Sequence, residues 1–169
     1  EEDLLQAKNY FFKAYQKAKG IGDEIKVGYY AVNLALVSNK MKAPDSAQAY
    51  VEEALPLLKK QPNVLLQGKM AQSEMLLLKK QYAKSEDIAL KLLPEFQDIS
   101  QVENRVFILL VLAEIKEGQN RLDKALQYGI EARNTQAGIE NREEVYGYLS
   151  NLYGKMGLLE KALIYIQLP

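Results

Sequence analysis

Carboxylates are the side chains of this sequence that could support metal or acid–base chemistry. Cysteine and histidine are both absent from the 169 residues, which excludes disulfides, thiol nucleophiles, Cys/His zinc sites and serine–histidine triads. Glu74, Glu114 and Glu117 could surround a divalent ion, because oxygen ligands suffice for Mg²⁺ or Ca²⁺. No Asp-rich loop or phosphate-binding glycine motif accompanies them. A carboxylate-based metal enzyme, or a small-ligand-binding helical domain, is the alternative to a binding protein without catalysis or cofactor.

Composition indicates a folded chain with no preference for a charged partner. Apolar residues make up 48% of the sequence, and 22 Lys and Arg balance 22 Asp and Glu. No segment has the basic excess that nucleic acids or anionic membranes require. The longest apolar run, 106–113, is far shorter than the ~20 residues of a membrane-spanning helix. We therefore expect no nucleic-acid contact and no membrane span in this segment. The composition leaves both the cytoplasm and the periplasm open as its location.

A small residue recurs along the chain at intervals of 37 to 40 residues. We call these five positions the markers: Ala7, Ala47, Ser85, Ala125 and Ala162. A second small residue stands before each of the last four markers, in the pairs Leu34-Ala35, Gln72-Ser73, Leu112-Ala113 and Leu149-Ser150. Small residues at fixed spacing allow two helices to approach closely. The pattern predicts a repeated pair of helices that cross at these positions.

Turn and capping residues place nine helices in this pattern. We predict helices over residues 3–19, 23–41, 44–60, 63–80, 82–97, 100–118, 121–135, 141–156 and 159–168. Gly20 with Asp23, and Gly138 with Asn141, suit a helix end followed by a new start. A capping box is predicted over 100–103. Two prolines, Pro56 and Pro94, should kink or shorten the helices that contain them.

The turn within each pair passes through Lys42, Lys80, Asn120 or Gly157. Only asparagine and glycine are favoured where a helix ends with positive φ. The first two turns must therefore either adopt this geometry at a cost or end differently.

One string in the sequence, VYGYLSNLYGKMGLLEKALIYI, resembles a tetratricopeptide repeat. The residues that carry the resemblance are Tyr146, Leu149, Ser150, Tyr153, Gly157, Leu159 and Ala162. The strings at 33–55 and 111–132 match the family pattern less fully. The resemblance implies an all-α fold, an α-solenoid of antiparallel helix pairs that form a right-handed superhelix. It also implies one array over 1–169, with a partial repeat at 1–19 and pairs at 23–60, 63–97, 100–135 and 141–168.

The family resemblance also implies a function in binding. Arrays with this longer period resemble parts of bacterial regulators and sensors, so we expect a scaffold that binds a protein or peptide for signalling. The implied groove residues are Tyr29, Asn33, Leu36, Lys40, Met70, Glu74, Leu110, Glu114, Tyr148, Asn151 and Lys155. Apolar members such as Leu36 and Leu110 could equally be core residues, and Glu114 with Glu117 could be a solvated face. The lysine–asparagine clamp of family members that bind a C-terminal carboxylate is missing.

The chain ends suggest a further contact. The helix at 3–19 lacks a preceding partner for Leu4, Ala7, Phe11 and Ala14, and the last helix carries the apolar residues Ala162, Ile164 and Ile166. Self-association through these ends, or continuation of the chain, would cover them.

Overall fold

The chain is all-helical in the computed structural model, which describes residues 2–135 and 138–168. The helices are α1 (Glu2–Ile21), α2 (Glu24–Lys40), α3 (Pro44–Leu57), α4 (Pro62–Leu78), α5 (Tyr82–Leu92), α6 (Val102–Gly118), α7 (Leu122–Asn134), α8 (Ile139–Lys155) and α9 (Leu159–Ile166). Short 3₁₀ turns occupy Leu93–Glu95 and Ile99–Gln101. Among these residues, no helix is long and apolar enough to cross a bilayer.

Two compact units make up the chain, divided after Ile88 within α5. In the first unit, α2 packs against α1, α3 and α4. Its core includes the fully buried Ala31, Leu34, Ala54 and Leu58. A second cluster in the same unit joins residues of α2, α3 and α4, among them Met75. Removal of these side chains from water stabilises the unit by about 25 cal/mol for each Å² of apolar surface.

In the second unit, α6 packs on α7, α7 on α8, and α8 on α9. Its core includes Val106 and Leu109 of α6, Leu149 of α8, and the aromatic residues Tyr153 and Tyr165. Small residues in α7 and α9 let these larger side chains approach, and Ala132 is 1% exposed.

The predicted helix crossings are confirmed. The paired small residues at these crossings are all buried, namely Ala35, Ala47, Ser73, Ser85, Ala113, Ala125, Ser150 and Ala162. Ser73 Oγ donates to the carbonyl of Ser85 at 3.0 Å, and Ser85 Oγ donates to the carbonyl of Ser73 at 2.6 Å. Ser150 Oγ likewise donates to the carbonyl of Ala162 at 3.0 Å. Hydroxyl-to-backbone bonds between helices require the close approach that small side chains permit.

All four turns within the helix pairs adopt positive φ, including the two at lysine. The φ angles are 56° at Lys42, 59° at Lys80, 57° at Asn120 and 75° at Gly157. In each turn, the amide that follows this residue donates to a carbonyl five positions back, at 2.8 to 2.9 Å. This Schellman geometry satisfies the last carbonyls of the first helix. The repeat therefore fixes the backbone of the turn even where the residue type disfavours it.

Several predicted helix ends need correction. Helix α1 continues through Gly20 to Ile21, and Gly22, with φ 70°, is the residue that ends it. Asp23 does cap α2, since its carboxylate accepts from the Lys26 amide at 3.1 Å. Gly138 precedes α8 directly. Asn141 thus lies inside α8 rather than at its cap.

The predicted capping box at 100–103 is wrong. The carboxylate of Asp98 accepts from the Ser100 amide at 2.8 Å and caps a 3₁₀ turn, so α6 begins only at Val102. Helix α5 ends at Leu92 instead of residue 97, because Pro94 has no amide hydrogen to continue it. Pro56 similarly lies one residue before the end of α3.

Candidate binding surface

In the first unit, the predicted groove residues of α2 divide between surface and core. Tyr29 is 43% exposed and Lys40 is also exposed. Asn33 is half-buried, and its Nδ2 donates to the Tyr29 carbonyl of its own helix at 3.0 Å. Leu36 is half-buried and packs against both core clusters of the unit. Of these four residues, only Tyr29 and Lys40 are exposed.

The predicted residues of α4 contribute less to the surface. Met70 is 5% exposed, so it is a core residue and not a groove residue. Glu74 is half-buried. Nearby, the buried Asn39 donates from Nδ2 to the Ala71 carbonyl at 2.9 Å and so joins α2 to α4. Sequence periodicity could not separate these positions, because groove and packing residues recur at the same helical spacing.

In the second unit, α6 and α8 bring most of the predicted residues together. Leu110 is 5% exposed and belongs to the core. Glu114, Asn151 and Lys155 are exposed, and Tyr148 is half-buried. The two helices are in contact. We call Glu114, Glu117, Tyr148, Asn151 and Lys155 together the α6–α8 surface.

An ion pair joins the two helices of this surface. The ammonium of Lys155 on α8 pairs with the carboxylate of Glu117 on α6. The Glu117 side chain is 20% exposed and the Lys155 side chain 59% exposed. This pairing neutralises Glu117, whose charge the metal-site alternative would need. Among the side chains that the structure describes, no three acidic groups come close enough to hold a metal ion.

Tyr148 is the aromatic residue of the α6–α8 surface, and its side chain is half-buried. Burial, reinforced by the negative charges of Glu117 and Glu114, raises the pKa of its phenol far above the ordinary value. The phenol therefore stays protonated and can act as a hydrogen-bond donor. The Glu117 carboxylate interacts with this buried hydroxyl and contributes to the shift, although no well-aligned hydrogen bond joins the two groups. A buried donor without a well-aligned partner costs about 1–3 kcal/mol. Because the hydroxyl is shielded from solvent, a ligand acceptor reaches it only if the side chains around it move.

A glycine in α7 makes room for the Tyr148 ring. A Cβ on Gly129 would lie 3.3 Å from Tyr148 Cε1 and 2.8 Å from Leu149 Cδ2. Sequence reasoning identified Tyr148 but not this supporting position. The sequence does distinguish this position, because Gly129 is the smallest of the residues that stand four positions after the markers.

The predicted apolar face of α1 is partly covered. Leu4, Ala7, Phe11 and Ala14 are half-buried, and Phe11 packs against the core of the first unit. The large apolar side chains that α1 does expose are others, including Leu5 at 51% and Tyr10 at 67%. In α9, Ala162 is buried, whereas Ile164 and Ile166 are 56% and 68% exposed. Self-association through these helices stays a prediction.

Comparisons with known proteins support the fold alone. No protein-family model matches this chain, and no curated protein sequence matches it. Among solved structures it is similar to BtubC (BKLC) from P. vanneervenii, with a TM-score of 0.67 and 18% sequence identity. The similarity covers 96% of this chain and 70% of that one. It agrees with an all-helical architecture over almost the whole chain.

Proposed function

We propose that this chain is a non-catalytic scaffold of the tetratricopeptide type, which binds a protein or peptide on the exposed side of its first helices. In this proposal the helix pairs form a right-handed solenoid, and the chain serves as the interaction part of a larger bacterial signalling protein. The proposal rests on two kinds of support, the repeated backbone geometry and the chemistry of the α6–α8 surface.

The repeated geometry supports the family part of the proposal. Each helix pair has a turn residue with positive φ at the equivalent position, which is 42, 80, 120 or 157. Each pair also has buried small residues at its crossing. A unit repeated with this regularity cannot bury its apolar face alone and is stabilised by stacking on its neighbours. Proteins built in this way bind partners through extended surfaces rather than through a reaction centre.

The observation that carries the functional part is the group of hydrogen-bonding side chains on α8, Tyr148, Asn151 and Lys155. The Tyr148 hydroxyl is a protonated donor without a well-aligned acceptor, and the exposed amide of Asn151 and ammonium of Lys155 lie on the same helix. Backbone carbonyls of a peptide are acceptors that match all three groups, and an asparagine amide can also accept from a peptide amide. The surface thus offers directional contacts to a peptide without any group poised for covalent chemistry.

The test compares two matched tyrosine variants. Tyr148→Phe removes only the hydroxyl from the α6–α8 surface, whereas Tyr146→Phe removes one from a half-buried ring that packs against Tyr165. Peptides would be selected against the wild-type chain from a random library and their affinities measured by isothermal titration calorimetry. We expect Tyr148→Phe to weaken binding roughly threefold to tenfold, the loss of one hydrogen bond. Tyr146→Phe should bind like the wild type.

A folded Tyr148→Phe variant with unchanged affinity for every selected peptide would contradict the use of this surface. Melting curves recorded by circular dichroism establish that both variants are folded. Because the substitution removes a buried hydroxyl without a well-aligned partner, it should change the free energy of unfolding little.

A further inference from the structure

The second helices of the repeats carry a tyrosine at a fixed position, with one exception. Three residues after the five markers stand Tyr10, Tyr50, Ile88, Tyr128 and Tyr165. Ile88 is thus the one aliphatic residue in a column of tyrosines.

Two of these tyrosines fill the space between neighbouring helices. In the first unit, the Tyr50 ring contacts the Tyr15 ring edge-on, with centroids 5.8 Å apart. In the second unit, the Tyr165 ring stacks on Tyr153 at 5.7 Å, and its hydroxyl accepts from Arg133 Nη1 at 2.6 Å. In both places the aromatic residue provides apolar contact and a polar tip.

Ile88 lines an open cleft of about 650 Å³ in the first unit. Its floor is apolar and consists of Val51, Met75, Leu76 and Ile88. The cleft contains none of the residues of the α6–α8 surface. Its volume lies in the range of ligand pockets, about 300–1,000 Å³, and exceeds the space left by a single side chain.

The polar rim of the cleft is electrically balanced and rich in amides. Three glutamines line it, Gln48, Gln72 and Gln81. Two lysines, Lys79 and Lys84, are matched by two carboxylates, Glu52 and Asp87. Amide groups both donate and accept hydrogen bonds. A rim of this kind favours a neutral ligand with its own donors and acceptors over a phosphate or another ion.

Part of this rim is held in place by contacts within the first unit. Gln48 Nε2 donates to Glu52 Oε1 at 2.7 Å, and Lys79 Nζ donates to Gln48 Oε1. Lys79 also pairs with Asp45 at 2.7 Å. Side chains that are already ordered lose less conformational freedom when a ligand binds.

We infer that this cleft binds a tyrosine side chain of a partner protein, presented in an extended segment whose backbone meets the glutamine amides. The guest ring packs beside Ile88 and Leu76, and Leu76 stands at the position equivalent to Tyr153, on which the Tyr165 ring stacks. The inference does not depend on the proposed function of the α6–α8 surface, since the two share no residue.

The test uses N-acetyl-tyrosinamide as the probe and ¹⁵N-labelled full chain, with side-chain amide signals followed by NMR. We expect saturable shifts of Gln48, Gln72 and Gln81, with a dissociation constant on the order of 1 mM for so small a ligand. N-acetyl-leucinamide and the phosphorylated tyrosine amide should bind at least roughly fivefold more weakly, since one lacks the phenol and the other carries charge into a neutral rim.

Ile88→Tyr supplies the missing ring from the chain itself and should abolish the probe's shifts while raising the melting temperature. Ile99→Tyr is the matched control, because Ile99 is 81% exposed and lies in the second unit. If Ile88→Tyr does not melt cooperatively, Ala83→Trp at the cleft edge serves as the blocking variant. The inference is overturned if tyrosinamide moves none of the three glutamines, if leucinamide binds as well, or if a folded blocking variant still binds.

Discussion

Replacing the left-handed lysine of a repeat turn with glycine should stabilise the protein. Lys80 has φ 59° and its side chain is exposed. The left-handed conformation costs a residue with a Cβ about 1–2 kcal/mol. Glycine avoids this cost but adds about 0.4–1 kcal/mol of conformational entropy to the unfolded chain. Lys80→Gly should therefore raise the free energy of unfolding by about 0.5–1 kcal/mol.

Three further variants make this expectation specific. Lys42→Gly should have the same effect, since Lys42 has φ 56° in the equivalent turn. Gly157→Ala reverses the change at φ 75° and should destabilise by about 1 kcal/mol. Lys60→Gly is the control, because this exposed lysine lies in the turn between α3 and α4 without positive φ, and there glycine should lower stability.

Urea denaturation followed by far-UV circular dichroism measures these differences. A gain of 1 kcal/mol corresponds to about 2–4 °C in melting temperature for a chain of this size. The reasoning is refuted if Lys80→Gly and Lys60→Gly change the unfolding midpoint in the same direction. In that case the positive φ at Lys80 would not lower the free energy of unfolding by a measurable amount.

Two other predictions concern packing and pH. Ala125→Leu should lower the free energy of unfolding by about 1–3 kcal/mol, because Ala125 is 0% exposed at a helix crossing. Lys124→Leu on the exposed side of the same helix should be near neutral. Equal effects of the two substitutions in urea titrations would place the crossing elsewhere. For Glu53, burial alone would raise the carboxyl pKa, but hydrogen bonds from Lys19 and Tyr15 together lower it below the ordinary 4.5. Its stabilising contribution is therefore complete above pH 4.5 and lost as pH falls below that value. Glu53→Gln should flatten the acid limb of a plot of stability against pH. An unchanged limb would show that the pairing is not coupled to folding.

The sequence was most informative where one physical requirement recurs. Small residues at the crossings and a residue at each turn repeat at a regular spacing. The structure buries the paired small residues as expected and resolves the two lysine turns, which the sequence left open, in favour of positive φ. The helix ends around 92–102 could not be predicted. Two capping schemes compete there, and the Asp98 carboxylate caps a 3₁₀ turn that displaces the predicted box at Ser100.

Prediction of the binding surface was limited by a different ambiguity. Met70 and Leu110 occupy helical positions from which a side chain can point either to a groove or to a neighbouring helix, and they are buried. Of the predicted groove residues on α8, Asn151 and Lys155 are exposed and Tyr148 is half-buried, and their role in binding stays a prediction. The ion pair between Lys155 and Glu117 could not be predicted from the sequence, because it joins residues on two helices.

The central claim is that a peptide lies on the α6–α8 surface with its backbone near Tyr148. The most direct measurement is an NMR titration of the ¹⁵N-labelled chain with a selected peptide, compared with the same titration of Tyr148→Phe. The account predicts saturable shifts centred on the amides of Asn151 and its neighbours in α8 and on Glu114 in α6, with weaker binding in the variant. Shifts confined to other helices, with the same affinity in both proteins, would contradict it.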